Sequence, residues 1–259
     1  SGERIAARTV VAGCHVLTTI GLVGDDELPD GFGARARSTI RTGNGIGMVV
    51  RLGTNALPSY PGSLSGAEHH ALQLLAPTRT FLRRAHGDYV SGRPPERPAA
   101  LAMAFSAIDP TIAPPGKHNV TVWGQWHPIE RADGGSWDDI NDREGQKLID
   151  AVDAMAPGFA DSVEHAYVQT PLDLSRELNL VNGQVMHVEM SLDQMFSWRP
   201  LPELSGYRMP ADGLYLTGAS THPGGGVFGA SGRTAAGVVL GDLANAQRPW
   251  NRLRAAVRA

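Results

Sequence analysis

The chain has one cysteine, Cys14, in 259 residues. A single thiol excludes an intrachain disulfide and a zinc site built on several cysteines, and it fits a reducing compartment. The cytoplasm is therefore the expected location. Long hydrophobic runs are also missing. No window approaches the roughly 20 apolar residues of a spanning helix, and no basic segment followed by an apolar run marks a secretory leader. A basic excess is absent as well. The 23 Lys and Arg against 26 Asp and Glu leave a formal charge of -3, and the cations are scattered except for short pairs such as Arg83 and Arg84. Phosphate recognition needs a concentrated basic face, so nucleic acid is not an expected partner. No internal repeat or low-complexity tract is found.

What is present reads as globular. Hydrophobic residues make up 42% and charged residues 19%, while 31 Gly and 18 Pro call for many turns and close backbone approaches. The length allows one large domain or two modest ones. The first residue is Ser1, not Met, which points to a trimmed, cleaved or otherwise defined start.

Residues 4–12 (RIAARTVVA) read as a strand ending at Gly13, with the rest of its sheet expected on polypeptide outside this chain. Residues 43–53 alternate, placing Ile46, Met48, Val50 and Leu52 on one face of a half-buried strand. Ser65 and Glu68 have capping-box spacing before Leu72, Leu74 and Leu75, which predicts a helix ended by Pro77. Residues 100–108 and 118–126 read as an antiparallel pair joined by a turn-rich connection, DPTIAPPG. In the second strand Val120, Val122, Gly124 and Trp126 share a face. Asn119, Thr121, Trp123, Gln125 and His127 share the other, which is polar enough to line a cavity. A helix is expected from Trp137 to Met155, closed by Pro157 and Gly158, and a strand from Gln184 to Ser191.

The segment that carries chemistry lies near the C-terminus. Leu214 to Thr217 reads as a short buried strand, Gly218 to Gly229 (GASTHPGGGVFG) as a loop, and Ala230 to Leu243 as a helix of small residues. Glycines let backbone N–H groups approach a ligand, and the following helix N-terminus offers positive potential to a phosphate or an electron-rich carbonyl. A lone glycine run is ordinarily a flexible connection. Three consecutive glycines between strand and helix, with Gly229 and Gly232 opening the helix, read instead as a cradle.

The string GLYLTGASTHPGGGVFGASGRTAA from Gly213 resembles the C-terminal FAD signature of the bacterial phytoene desaturases and their relatives in the flavin amine oxidase superfamily. The stretches QTPLDLSRELNL, NGQVMHVEMSLDQMF, WRPLPELSGYRMP and DPTIAPPGKH resemble the same family, so the likeness spans most of residues 100–240. The family implies a mixed α/β fold, the C-terminal half of a two-domain FAD-dependent oxidoreductase. On that basis residues 1–15 are a strand of the FAD domain, residues 16–205 a substrate domain of mixed or antiparallel sheet and helices, and residues 206–259 the last strand, loop and helix of the FAD domain. Carried across, Gly218, Ala219 and Ser220 sit near the ribityl and pyrophosphate part of FAD. Gly225, Gly226 and Val227 approach the isoalloxazine, Ala230, Ser231 and Gly232 face its pyrimidine edge, and Pro223, Gly224 and Gly229 belong to the same cofactor-binding set. Trp123, Gln125, His127, His187 and Gln194 are the candidate substrate-pocket residues. No catalytic residue is named and no metal is expected, because hydride transfer to a flavin needs no side-chain acid or base.

Such proteins normally begin with a βαβ unit bearing a dinucleotide fingerprint. GFGARA at Gly31 fits the spacing, but it follows Leu28, Pro29 and Asp30 instead of a strand. The expected partner is therefore an N-terminal FAD-binding half, on the same precursor or a separate chain. Oligomers are left open. The expected activity is removal of a hydride from a C–H bond of a small organic substrate, apolar or an amine, of desaturase or amine-oxidase type. One alternative is a non-catalytic partner or scaffold subunit. A remote one is a serine hydrolase using Ser220, although His222 stands where a nucleophile elbow has glycine. His69 and His70 are adjacent and cannot form an i, i+4 metal pair. Trp126, Phe228 and Trp137 read as packing residues, and Arg199 as an interdomain or solvent-facing side chain.

Overall fold

The computed structural model describes residues 2–63 and 65–247. Ser1 and residues 248–259 of the expected C-terminal segment lie outside the described residues. In chain order the elements are β1 (Val10–Ala12), α1 (Val16–Val23), α2 (Phe32–Thr39), β2 (Gly47–Thr54), β3 (Gln73–Leu75), α3 (Arg79–Val90) and β4 (Ala100–Met103). Then come α4 (Phe105–Ile108), β5 (His118–Gln125), α5 (Asn141–Asp153), β6 (Val163–Gln169), α6 (Pro171–Leu178), β7 (Leu214–Leu216) and α7 (Ala230–Ala246). The fold is mixed α/β.

The chain divides into two compact units: residues up to Gly43 together with residues from Val185 onward, and Asn44–Gln184. The boundaries thus fall near 43 and 184 instead of 15 and 205. The reason is a set of tethers within the first unit. His15 reaches the His187 carbonyl at 3.0 Å, and the Arg41 side chain binds Glu189 at 2.8 Å and Asp193 at 2.7 Å.

The second unit is built on a five-stranded antiparallel sheet ordered β3-β4-β5-β2-β6. The alternation seen in sequence places Met48, Val50 and Leu52 of β2 beside Val120 and Val122 of β5 on a buried face. Leu148, Ile149 and Val152 of α5 join that core, each fully buried aliphatic side chain contributing about 1.5–3 kcal/mol. α5 starts with Asp142 and Glu144 in its first turn, where carboxylates oppose the helix dipole favourably. Its end is secured by Asp153, whose carboxylate accepts from the Gly158 and Ala160 N–H groups. α6 opens with a capping box between Thr170 and Asp173 behind Pro171.

Four expectations are corrected. Residues 65–75 are a 3₁₀ turn at Ala67–His70 followed by β3, not a helix. Ser65 bonds the Ala67 N–H, Glu68 takes the Ser63 hydroxyl, and pairing with β4 overrides the cap-like spacing. The run 100–108 stops as a strand at Met103 and turns into α4, whose Ser106 hydroxyl accepts from the Asn119 N–H at 2.9 Å. His127 does not share the face of Trp123 and Gln125. Trp126 takes φ 61°, the alternation ends, and the imidazole is buried beside Gly124 on the apolar side. Finally, residues 184–191 form no strand.

In the first unit, β1 and β7 pair in parallel, with Val10 opposite Leu214 and Ala12 opposite Leu216. β1 is only three residues long, against the nine expected, and Ile5 is exposed. Behind the pair, Val16 and Ile20 of α1, Phe32 and Ala36 of α2, Val188, Leu201, Leu204 and Leu216 form a second core. α7 buries Ser231, Ala235 and Val239, one residue per turn. Asp242 anchors it by accepting from Arg208 at 2.7 Å and from the Tyr215 hydroxyl at 3.0 Å.

Candidate functional site

The loop between β7 and α7 begins where two backbones nearly touch. Gly218 has φ 80°, and a Cβ there would lie 2.9 Å from the Gly13 carbonyl oxygen. Glycine is thus required by the approach of β1 to the loop. Ser220 follows, fully buried. Its Oγ accepts the Val16 N–H at 3.0 Å, capping α1, and shares a hydrogen bond with His187 Nδ1 at 3.0 Å. His15 Nδ1 accepts from the Leu17 N–H, so its Nε2 donates to the His187 carbonyl. Both imidazoles are neutral: burial lowers the His15 pKa, and burial with the nearby His15 and Arg199 pushes His187 down to about 4.

The serine hydrolase reading fails on this geometry, since the Ser220 hydroxyl is shut away from solvent and already serves as a helix cap. A nucleophile must reach its substrate.

Arg199 is the organising side chain. It is fully buried, neither interdomain nor solvent-facing, and all its bonds go to carbonyl oxygens: Ala219 at 2.7 and 3.2 Å, Met186 at 2.7 Å, Glu189 at 3.1 Å, and Gln194 and Val188 at 3.2 Å. Those bonds explain why residues 184–191 are not a strand. Their carbonyls are satisfied by one guanidinium instead of a ladder. Burial lowers the Arg199 pKa to about 10, which leaves it charged near neutrality. Gln194, expected in a pocket, is a brace: its Oε1 accepts the Arg41 N–H at 2.8 Å.

Beyond Pro223 the loop surfaces. Gly224 is buried against Met190 and Arg199, and Gly225 lies against Met186. Gly226 has φ 148°, a region open to glycine alone, and Val227, Phe228, Gly229, Ala230 and Gly232 are exposed. The first turn of α7 carries neither a side-chain cap nor an acidic residue. Ser231 turns its hydroxyl inward to Thr221 at 2.5 Å and Thr217 at 3.2 Å, so it offers an outside ligand only backbone. The arrangement is an uncapped helix N-terminus beside an exposed, side-chain-poor loop, rimmed by Met190, Phe196 and Phe228. Such a surface offers backbone N–H groups and positive helix-end potential to a flat ligand with electron-rich carbonyls.

Trp123, Gln125 and His127 belong to the second unit. Trp123 lies across Gly47, where a Cβ would come 2.6 Å from its indole nitrogen. His127 is fully buried, which pushes its pKa down to about 3. A cavity of about 310 Å³ in that unit is lined instead by Leu75, Phe81, Arg97, Lys147 and Met155, among others. Sequence reasoning missed His15, because histidine is not a usual N-cap. Arg199 carried a faint signal, an arginine set among prolines and aromatics in WRPLP. Among the described residues no group of three or more His, Cys, Asp or Glu gathers as metal ligands, and no helix is long and apolar enough to cross a membrane.

No family model matches the chain. Pyridine nucleotide-disulfide oxidoreductase domain-containing protein 2 of Rattus norvegicus is 36% identical over 253 residues, covering 94% of this chain and 43% of that protein. A lycopene-forming phytoene desaturase from a Paracoccus species is 32% identical over 141 residues, 53% of this chain and 27% of that protein. The chain is homologous to pyridine nucleotide-disulfide oxidoreductase domain-containing protein 2 and to the phytoene desaturases. A solved oxidoreductase from Methanosarcina mazei shares the fold, with TM-score 0.52 and 16% identity over 93% of this chain and 44% of the other. The chain thus spans less than half the length of these relatives.

Proposed function

We propose that this chain supplies the isoalloxazine and ribityl side of an FAD site in an oxidoreductase that removes a hydride from a C–H bond of an apolar or amine substrate. The observation that carries this reading is the exposed glycine loop, Gly225 to Gly229, leading into the uncapped N-terminus of α7. The bound flavin supplies the electron chemistry; the chain supplies orientation and field. Gly225, Gly226 and the first-turn N–H groups of Ala230, Ser231 and Gly232 would hold the flavin, the N–H groups offering positive potential to it, and Met190, Phe196 and Phe228 would help keep water from it. The relatives named phytoene desaturases favour an apolar carbon chain as substrate. An N-terminal half, on the same precursor or a separate polypeptide, completes the adenosine side, and the lone exposed Cys14 agrees with a cytoplasmic setting.

The test is the visible spectrum of the protein purified alone and together with an N-terminal half bearing a dinucleotide fingerprint. A yellow complex with the half present, bleached by dithionite and restored by air, is the expected result. No flavin retained in either preparation would sink the reading, and colour without turnover on any C–H substrate would favour a scaffold subunit.

A further inference from the structure

Among its described residues the first unit contains a buried cation without a buried anion. Arg199 is fully enclosed, and its six hydrogen bonds end on five carbonyl oxygens, those of residues 186, 188, 189, 194 and 219. Carbonyl dipoles solvate the guanidinium, but they carry no net charge. The unit positive charge remains and acts over a longer range than the dipoles that stabilise it. His15 and His187, which feel the Arg199 charge, are neutral and cancel nothing. The carboxylates of Glu189 and Asp193 are turned outward to Arg41 and are partly exposed, at 33% and 64% of their side-chain surfaces, so water screens them.

The position of the charge gives it a use. Two of the Arg199 bonds end on Ala219, at the start of the ligand loop, and a Cβ on Gly224 would lie 3.5 Å from its Nε. The guanidinium therefore lies against the loop, where the Met190 and Met186 side chains also pack on Gly224 and Gly225. A loop backed in this way favours a ligand that bears negative charge where it lies on Gly224–Gly226, or that acquires negative charge there.

We infer that Arg199 is an electrostatic positioning residue: it holds the Ala219–Gly226 loop in shape and biases the bound ring toward its reduced, anionic form. This rests on the flavin reading and adds to the α7 dipole a fixed full charge. The consequence is thermodynamic. A ring that gains negative charge on accepting a hydride binds more tightly reduced than oxidised, and its midpoint potential rises by the same free energy.

The experiment measures the affinity of the yellow complex for oxidised FAD and for dithionite-reduced FAD under anaerobic conditions, in wild type, Arg199→Lys and Arg199→Gln. Reduced FAD is expected to bind wild type at least about tenfold more tightly, equivalent to a shift of about 30 mV for a two-electron couple. Arg199→Lys keeps most of that ratio despite losing the fork of hydrogen bonds, and Arg199→Gln, which keeps a donor but no charge, brings it close to one. A purely structural role would weaken both redox forms equally and leave the ratio unchanged in both variants, which overturns the inference. So does a wild-type ratio of one, a measurement that needs no variant to fold. Absence of binding in either redox state defeats the flavin reading and this inference together, whereas equal binding of the two forms defeats this inference alone.

Discussion

Ser220, His187 and His15 show how much of a residue's meaning lies in what surrounds it. A serine 3.0 Å from an imidazole looks like a catalytic pair, yet its oxygen caps α1 and its surface is closed. A fluorophosphonate probe is therefore expected to leave Ser220 unlabelled in the folded protein, as read by peptide mass spectrometry; stoichiometric labelling would contradict the buried cap. The histidines also make stability depend on pH. His187 titrates near 4 and His127 near 3 in the fold, against an ordinary value of 6.5, so between these limits the unfolded chain binds more protons. Stability is full above about pH 6.5 and falls as pH drops toward 4. Thermal melts across that window should show the loss, and His127→Phe should flatten its lower part; a flat profile in the wild type would count against neutral buried imidazoles.

Elements whose periodicity and packing agree were legible from the residues alone. Met48, Val50 and Leu52 alternate and are buried together, Leu148 and Val152 recur at helical spacing on α5, and the β7–loop–α7 unit stands where glycine and small residues placed it. Legibility failed where a distant partner decided the outcome. The stretch around Val185 to Glu189 looks like a strand until Arg199, ten or more residues away, takes its carbonyls. Leu72 and Leu74 look helical until β4 offers an edge, and both then face solvent. The helix-on-sheet contact of the second unit gives a direct check. A Cβ at Gly124 would come 2.6 Å from Leu148 and 2.7 Å from His127, so Gly124→Ala should cost about 1–3 kcal/mol in urea unfolding. An unchanged midpoint would show that α5 does not press on β5 as described.

At the scale of the whole molecule, one unit is continuous in sequence and the other is made from both ends of the chain. Residues 44–184 carry their own sheet, core and caps, and a fragment of that span should melt cooperatively by circular dichroism, whereas residues 1–43 expressed alone should not. A fragment 44–184 without a cooperative transition would refute this. The parallel pairing of Val10–Ala12 with Leu214–Leu216 then sets an order of events during synthesis. Val16 waits for Ser220 across 204 residues, a delay of about 10–40 s at ordinary rates of translation. Until then β1 lacks its pairing with β7 and α1 lacks the hydroxyl that caps it. The ligand loop therefore closes only after the intervening residues have been made, and closing it joins the two sequence segments of the first unit.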